Sequence, residues 1–280
     1  MFDVFRNRLE LVGKLTTVTA LRISQGRSLE PIGSDLPVVK DAFGRPLIPG
    51  SSFKGAMRAR LESFLRGILG SDRKLVANPA IEEEWSITSD RMKELKEEYS
   101  DDARLTTAIV AETDLASRLF GSPWLSSKLQ IKDLNVSSND WFNQYQERDG
   151  VAIDRDTEIA ANGKLYDFQV VPAGTPFRFH AIVENAEKWE LGLLMIGLHQ
   201  FETQQIPLGG GRSRGLGVVK LRLEKRWWFD YPASDPEQLI QYLQRLLNNK
   251  KDYYLLTSEE YETYKTDWSE TLIEELRKPK

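Results

Sequence analysis

Gly209-Gly-Gly-Arg-Ser-Arg-Gly-Leu-Gly217 joins two stretches of different hydrophobic period, and its flanks decide the fold. Ahead of it, residues 187–204 place Leu191, Leu194, Met195 and Leu198 at helical spacing, which predicts a helix with one apolar face. Behind it, 218–228 reads as a strand. Upstream of the helix, Phe177, Phe179, Ala181 and Val183 share one face of an alternating run over 176–184, a further strand. A similar succession opens the chain. Leu9, Leu11, Gly13, Leu15 and Thr17 alternate with Glu10, Val12, Lys14 and Thr16, and from Ser51 onward Phe53, Met57, Leu61, Phe64, Leu65 and Leu69 recur at helical spacing. Ser51 or Ser52 is placed to cap that helix, and Lys54, Arg58, Arg60 and Arg66 fall on its other faces. A short helix over 115–120 and an alternating strand over 128–136 lie between. Strand, helix, strands, strand, helix, strand is the order of an α+β domain with a ferredoxin-like, RNA-recognition-type core.

The remaining segments read as additions to that core. A polar loop at 25–34 precedes a hairpin, 37–40 and 45–49 about a turn at 41–44, kept non-helical by Pro46 and Pro49. Residues 71–112 are a charged insertion with an amphipathic helix expected over 85–99. Residues 149–168 are polar in the middle and flanked by Val151-Ala-Ile153 and Leu165-Tyr-Asp-Phe168, which suggests a projecting hairpin or long loop. Residues 233–280 predict two helices joined near 255–258, seated by Trp227-Trp228-Phe229. The expected division is a core over 1–228, carrying the insertion 71–112 and the projection 149–168, followed by a helical extension over 229–280.

Composition narrows the chemistry. With 280 residues, 40% of them hydrophobic, the chain has the apolar mass for a substantial core. It has 0 Cys, which excludes disulfides, thiolate nucleophiles and zinc knuckles. The 2 His, His180 on a strand and His199 late in a helix, read as packing residues and leave too few for a triad or a His-rich metal site. No run approaches the roughly 20 apolar residues of a membrane span, and the first residues alternate instead of forming a signal block, so the expectation is a cytoplasmic protein with no membrane partner. The net charge of -4 conceals a division: residues 82–102 carry 9 acidic and 3 basic side chains, 229–280 carry 11 and 7, and the rest holds 28 basic against 22 acidic. A basic body, with concentrations at 54–66 and 212–226, is the charge pattern of a surface that meets nucleic acid.

Two glycine motifs carry the chemistry. In 209–217 the glycines let backbone amides approach a phosphate while Arg212 and Arg214 supply charge. The dinucleotide fingerprint fails on spacing, and the loop follows a helix rather than a strand. Gly50-Ser-Ser-Phe-Lys-Gly55 has a Walker-like spacing, but Ala56 and Met57 stand where Lys and a hydroxyl residue are needed. Either loop alone is also compatible with a tight turn.

Ile48-Pro-Gly-Ser-Ser-Phe-Lys-Gly-Ala-Met-Arg58, Asp149-Gly-Val-Ala-Ile-Asp-Arg-Asp-Thr157 closing at Leu165-Tyr-Asp-Phe168, and the 209–217 loop together resemble the RAMP superfamily of CRISPR-associated proteins. The likeness is to the backbone subunit of type III effectors, the Csm and Cmr kind, and spans roughly 9–226. It implies a core that stacks in copies along a guide RNA, with other RAMP subunits and the large and small subunits of the effector as partners. It implies guide contacts by Ser51, Ser52, Lys54, Arg58, Gly209, Gly210, Gly211, Arg212 and Arg214, and a thumb at 149–168 with Ile153 and Arg155 near its tip that wedges into the guide–target duplex. Hydroxyls and cations of this kind suit phosphate oxygens.

The cleaving members of this type carry an Asp before a Pro-Val-Ile-like strand, and Pro31-Ile-Gly-Ser-Asp-Leu-Pro-Val-Val-Lys-Asp41 puts Asp35 there. The resemblance thus implies that Asp35, with Mg2+ or another divalent cation completed by water and the scissile phosphate, cuts a single-stranded RNA paired to the guide. Asp41 reads as a turn residue. Two alternatives stay open: a guide-holding scaffold without cleavage, for which the short Gly33-Ser34 approach to Asp35 speaks, and a guide-processing ribonuclease, which the lack of an active-site His disfavours.

Overall fold

The computed structural model of the chain describes residues 4–26, 34–153, 160–231 and 235–278. The first strand, β1 (Asn7–Thr17), is followed by the short β2 (Leu47–Ile48) and the long helix α1 (Gly50–Leu69). The charged insertion folds as α2 (Ser89–Glu98) and α3 (Asp102–Glu112), and α4 (Leu115–Phe120) returns the chain to the core. Next come β3 (Leu129–Ile131), β4 (Leu134–Asn135), the hairpin β5 (Gln146–Ile153) and β6 (Ala160–Val170), then β7 (Pro176–Glu184) and α5 (Lys188–Glu202). The last strand, β8 (Val219–Asp230), precedes α6 (Pro236–Leu247) and α7 (Ser258–Arg277).

Four strands form one antiparallel sheet in the order β3-β7-β1-β8. Each crossover helix, α1 after β1 and α5 after β7, spans to a strand that is not its direct neighbour, which is the ferredoxin-like arrangement expected. Alternation drives it. Leu9, Leu11 and Leu15 of β1, Phe177 and Phe179 of β7 and Leu221 of β8 are all but inaccessible, and they meet Phe53, Met57 and Leu61 of α1 and Leu194, Leu198 and Phe201 of α5. The Phe53 ring stacks on Phe201 at 4.1 Å between centroids. The two helices cross closely at Gly197, where a Cβ would lie 2.7 Å from the Met57 side chain.

α7 joins the same core rather than standing apart. Gly192 of α5 lets it approach until a Cβ there would sit 2.2 Å from the Trp268 carbonyl oxygen, and Trp268 meets Trp228 edge-on at 5.2 Å. Phe229 stacks on Tyr242 of α6 at 4.0 Å, and Trp227 Nε1 donates to Asp252 at 2.9 Å. Trp227, Trp228 and Phe229 therefore seat the C-terminal helices.

Three local expectations are corrected. α1 begins one residue early, with Pro49 at its N-cap, and neither Ser51 nor Ser52 caps it. The Asp133 carboxylate does so from outside, accepting the Gly50 N–H at 2.8 Å. The single strand expected over 128–136 is broken in two for the same reason. β3 pairs with β7 while β4 pairs with β2, and Asp133 turns toward α1 between them. The insertion holds two helices, not one, packed around Ile87, Met92, Leu95 and Ile109. Arg91 clips α2 to α3 through Glu112, at 3.0 and 2.6 Å.

Candidate nucleic-acid interface

The glycine-rich loop is shaped by its own backbone. Gly209, Gly211, Gly215 and Gly217 all hold φ between +73 and +87°, a region costly for other residues. Leu208 and Leu216 are buried anchors, and the Leu208 N–H closes the loop on the Gly217 carbonyl at 2.9 Å. The loop is clasped to the segment after β1: Gly210 N–H donates to the Arg22 carbonyl at 2.8 Å and Gly217 N–H to the Ala20 carbonyl at 2.9 Å. The Gly210 amide, expected at a phosphate, is thus spent within the chain. Between these clasps a single helical turn, Arg212–Arg214, lifts both arginines into solvent.

Facing the loop is the small-residue side of α1. Ser51, Ser52, Gly55, Ala59, Arg60 and Ser63 line one wall of a groove of about 640 Å³, and Gly209 and Arg212 line the other. Because Asp133 caps the helix, the two serine hydroxyls are left to the groove. The structure brings Ser51, Ser52, Gly209 and Arg212 together here, as the sequence suggested, with Gly210 and Gly211 beside them in the loop.

Lys54 and Arg58 lie on another flank of α1, with Arg58 about 160° around the helix from Arg60. Lys54 Nζ donates to Ser127 Oγ at 2.6 Å and to the Leu129 carbonyl at 2.9 Å. Burial, and then the Arg58 charge, pulls the Lys54 ammonium down to about 8. Arg58 gives Nε to Glu62, Nη1 to the Gly121 carbonyl and Nη2 to Ser117 Oγ, at 2.6, 2.9 and 3.0 Å. In this chain both fasten α1 to residues 117–129.

Beyond the groove, Arg214 joins the loop to the hairpin. Arg214 donates to the Tyr166 hydroxyl at 3.2 Å, which lowers the pKa of that phenol. The Tyr166 ring lies flat on Gly150, where a Cβ would come within 2.3 Å of it. Two residues on, Phe168 is buried with Val170 and Leu216, and the Arg22 guanidinium sits over its ring at 4.7 Å. Ile153 is the last described residue of β5, its backbone paired with Ala160; Arg155 lies outside the described residues.

Asp35 is fixed against this hairpin base. Leu36 forms a parallel bridge with Phe168, and Gln169 N–H donates to the Leu36 carbonyl at 3.1 Å. Asp35 N–H donates to Asp167 Oδ1 at 3.0 Å, and Asp167 N–H donates back to Asp35 Oδ2 at 3.4 Å. Among the described residues the buried Ser34 hydroxyl beside Asp35 has no hydrogen-bond partner, and no three acidic, His or Cys side chains are grouped to hold a metal ion. The donors present at this position, the Asp35 carboxylate and the Ser34 hydroxyl, are oxygens. That set fits a hard divalent cation that keeps most of its waters. Asp41 is the turn residue expected, accepting the N–H groups of Phe43 and Arg45 at 2.9 Å each. His180 is bound to Glu10 at 2.8 Å, and His199 sits 3.3 Å from Glu202.

Sequence reasoning missed Arg60, Arg22, Tyr166 and Asp167 as members of the surface. Arg60 had a signal, since Ser52, Ala56, Ala59 and Ser63 recur on one helical face as a stripe of small residues with Arg60 beside it. The other three depend on tertiary contact.

Comparison with known proteins agrees with this geometry. The family model described as RAMP superfamily matches residues 14–220. A protein of Methanocaldococcus jannaschii named "CRISPR system Cms endoribonuclease Csm3" is 45% identical over 233 residues, covering 78% of this chain and 79% of the relative. Proteins of the same name from Enterococcus italicus and Streptococcus thermophilus are 27% and 26% identical, covering 78% and 76% of this chain and 91% and 86% of their own lengths. With a match over most of its length, and with its glycine loop facing α1 across one groove, this chain belongs to the RAMP superfamily of CRISPR-associated proteins and resembles within it the backbone subunit of type III effectors.

Proposed function

We propose that this chain holds guide RNA along the groove between α1 and the glycine-rich loop, and cuts RNA paired to that guide at Asp35. One observation carries the reading. The groove has Ser51 and Ser52 on one wall and Arg212 on the other, and two residues further along the same loop Arg214 is tied to Tyr166, next to the residue on which Asp35 is pinned. The glycine-rich loop thus joins the groove to the hairpin base that holds the carboxylate.

Serine hydroxyls with Arg60, Arg212 and Arg214 address phosphates and carry no base preference, which suits a subunit that must accept any guide. Other RAMP subunits and the large and small subunits of an effector are the partners this reading implies. Cleavage proceeds by attack of a ribose 2′-hydroxyl on the adjacent phosphorus, breaking the bond to the 5′-oxygen. The products are a cyclic phosphate and a 5′-hydroxyl, with protons exchanged through water. Asp35 would hold a divalent cation, which when bound neutralises charge building on the scissile phosphate. No imidazole is required, in keeping with both histidines being bound elsewhere.

The test is a reconstituted effector incubated with guide-complementary RNA, with magnesium or EDTA. Regularly spaced products, lost with EDTA and reduced at least about 100-fold in Asp35→Asn with guide binding unchanged, are expected. A complex that binds its target but yields no products would make the chain a guide-holding scaffold.

A further inference from the structure

We propose that Asp167 is a positioning residue for Asp35: its carboxylate locks residues 34–36 as a parallel edge on β6 and so aims the Asp35 carboxylate. This rests on Asp35 being the cleaving residue. The segment 34–36 belongs to none of the named strands; its described hydrogen bonds to the rest of the chain run to 167–169, and Leu36 packs on the cluster of Ala20, Phe168, Val170 and Leu216.

Two of those ties form a closed ring. Asp35 N–H to Asp167 Oδ1 at 3.0 Å and Asp167 N–H to Asp35 Oδ2 at 3.4 Å fix the backbone of each residue through the side chain of the other. Both are backbone N–H donations to a carboxylate oxygen, and the first is the shorter. It sets where the Asp35 Cα sits, while the return sets which way its carboxylate faces. Asp167 is itself well held. Phe168 is buried against Val170 and Leu216 on one face of β6, which presents Asp167 on the other, and Tyr166 is anchored by Gly150 and Arg214. The position of Asp35 is therefore inherited from the hairpin base.

An acceptor oxygen is what the Asp35 N–H needs, not a charge. Asn in place of Asp167 keeps Oδ1 and loses the charge, whereas Ala loses both. That difference separates positioning from direct ion binding, for which the charge matters.

The closing experiment compares wild type, Asp167→Ala, Asp167→Asn and Asp35→Asn in the reconstituted effector. Single-turnover cleavage is measured at saturating target across a magnesium titration, together with target Kd and deuterium exchange of the 34–40 segment. A misplacement of about 1 Å can cost on the order of 100-fold. Asp167→Ala is thus expected to cut about 10- to 100-fold more slowly, with target Kd unchanged within about threefold and faster exchange at 34–40. Asp167→Asn is expected to restore both the rate and the slow exchange with the magnesium dependence of wild type. Wild-type cleavage and exchange in Asp167→Ala would overturn the proposal. So would an Asp167→Asn variant as slow as Ala with a magnesium requirement raised about tenfold, since Asp167 would then bind the ion itself. If Asp35→Asn cuts like wild type, or wild type does not cut at all, the role of Asp35 fails instead. The exchange data still decide whether Asp167 orders the segment.

Discussion

Arg58 spends all three sides of its guanidinium on Glu62, Gly121 and Ser117, whereas Arg60, two positions further along α1, has among the described residues a single hydrogen bond, Nε to Gln200 at 3.0 Å, and remains exposed at the groove. The same residue type on one helix thus holds the fold at one position and is available to a phosphate at the other. Removing Arg58 also strips a partner from Glu62, a buried carboxylate that among the described residues would keep only Arg66, at 3.2 Å. Arg58→Ala should cost about 2 kcal/mol of stability. Arg60→Ala should stay within about 0.5 kcal/mol. Thermal unfolding of the two variants checks this, and equal melting temperatures would mean that Arg58 is not fastening α1. In the sequence, helical periodicity sets Arg58 and Arg60 on different faces but does not say which of them meets the groove. Which of them residues 117–129 cover could not be read there, because the partners lie 59 and 63 positions from Arg58.

The elements were legible where one period ran long enough, as in β1, α1, β7, α5 and β8, and blurred where a neighbour reshaped them. α1 reads as needing a serine cap, but its cap comes from Asp133, 83 positions away. α3 carries Thr106, Thr107, Ile109 and Val110, β-branched residues that weaken a helical reading, yet Asp101 caps it at Arg104 N–H and Ile109 buries against α2. The glycine loop was visible at once as a motif, but its glycines are not equivalent. A Cβ on Gly209 would lie 2.0 Å from the Arg22 carbonyl at a φ of +73°, while one on Gly210 meets nothing within 4 Å. Gly209→Ala should therefore unclasp the loop from residues 20–23, lowering the melting temperature by several degrees and weakening RNA binding. Gly210→Ala should leave both near wild type. Melting curves and RNA titrations of the pair decide it, and equal effects would show that the loop's conformation does not matter to the groove.

At the scale of the whole molecule, the net charge of -4 misleads because the acidic residues are segregated. Those of the insertion are partly answered locally, with Arg91 reaching Glu94 and Glu112 at 2.8 and 2.6 Å. The groove, by contrast, sets Arg60 and Arg212 about a wall of small and hydroxyl-bearing side chains, with Arg214 exposed on the same loop. A surface of that kind binds by displacing counterions, so the logarithm of RNA affinity should fall linearly with the logarithm of salt, by about 0.7 per phosphate contacted on a single strand. Replacing Arg60, Arg212 and Arg214 together by Gln removes three such contacts and should reduce the slope by about 2. Because these contacts reach phosphates and not base edges, the loss should be the same for guides of unrelated sequence. Titrations of wild type and the triple variant at several salt concentrations, with two unrelated RNAs, measure both quantities. An unchanged slope would place the RNA on another face of the fold. A reduced slope on one RNA alone would mean that the groove reads bases, which a chain serving interchangeable guides cannot do.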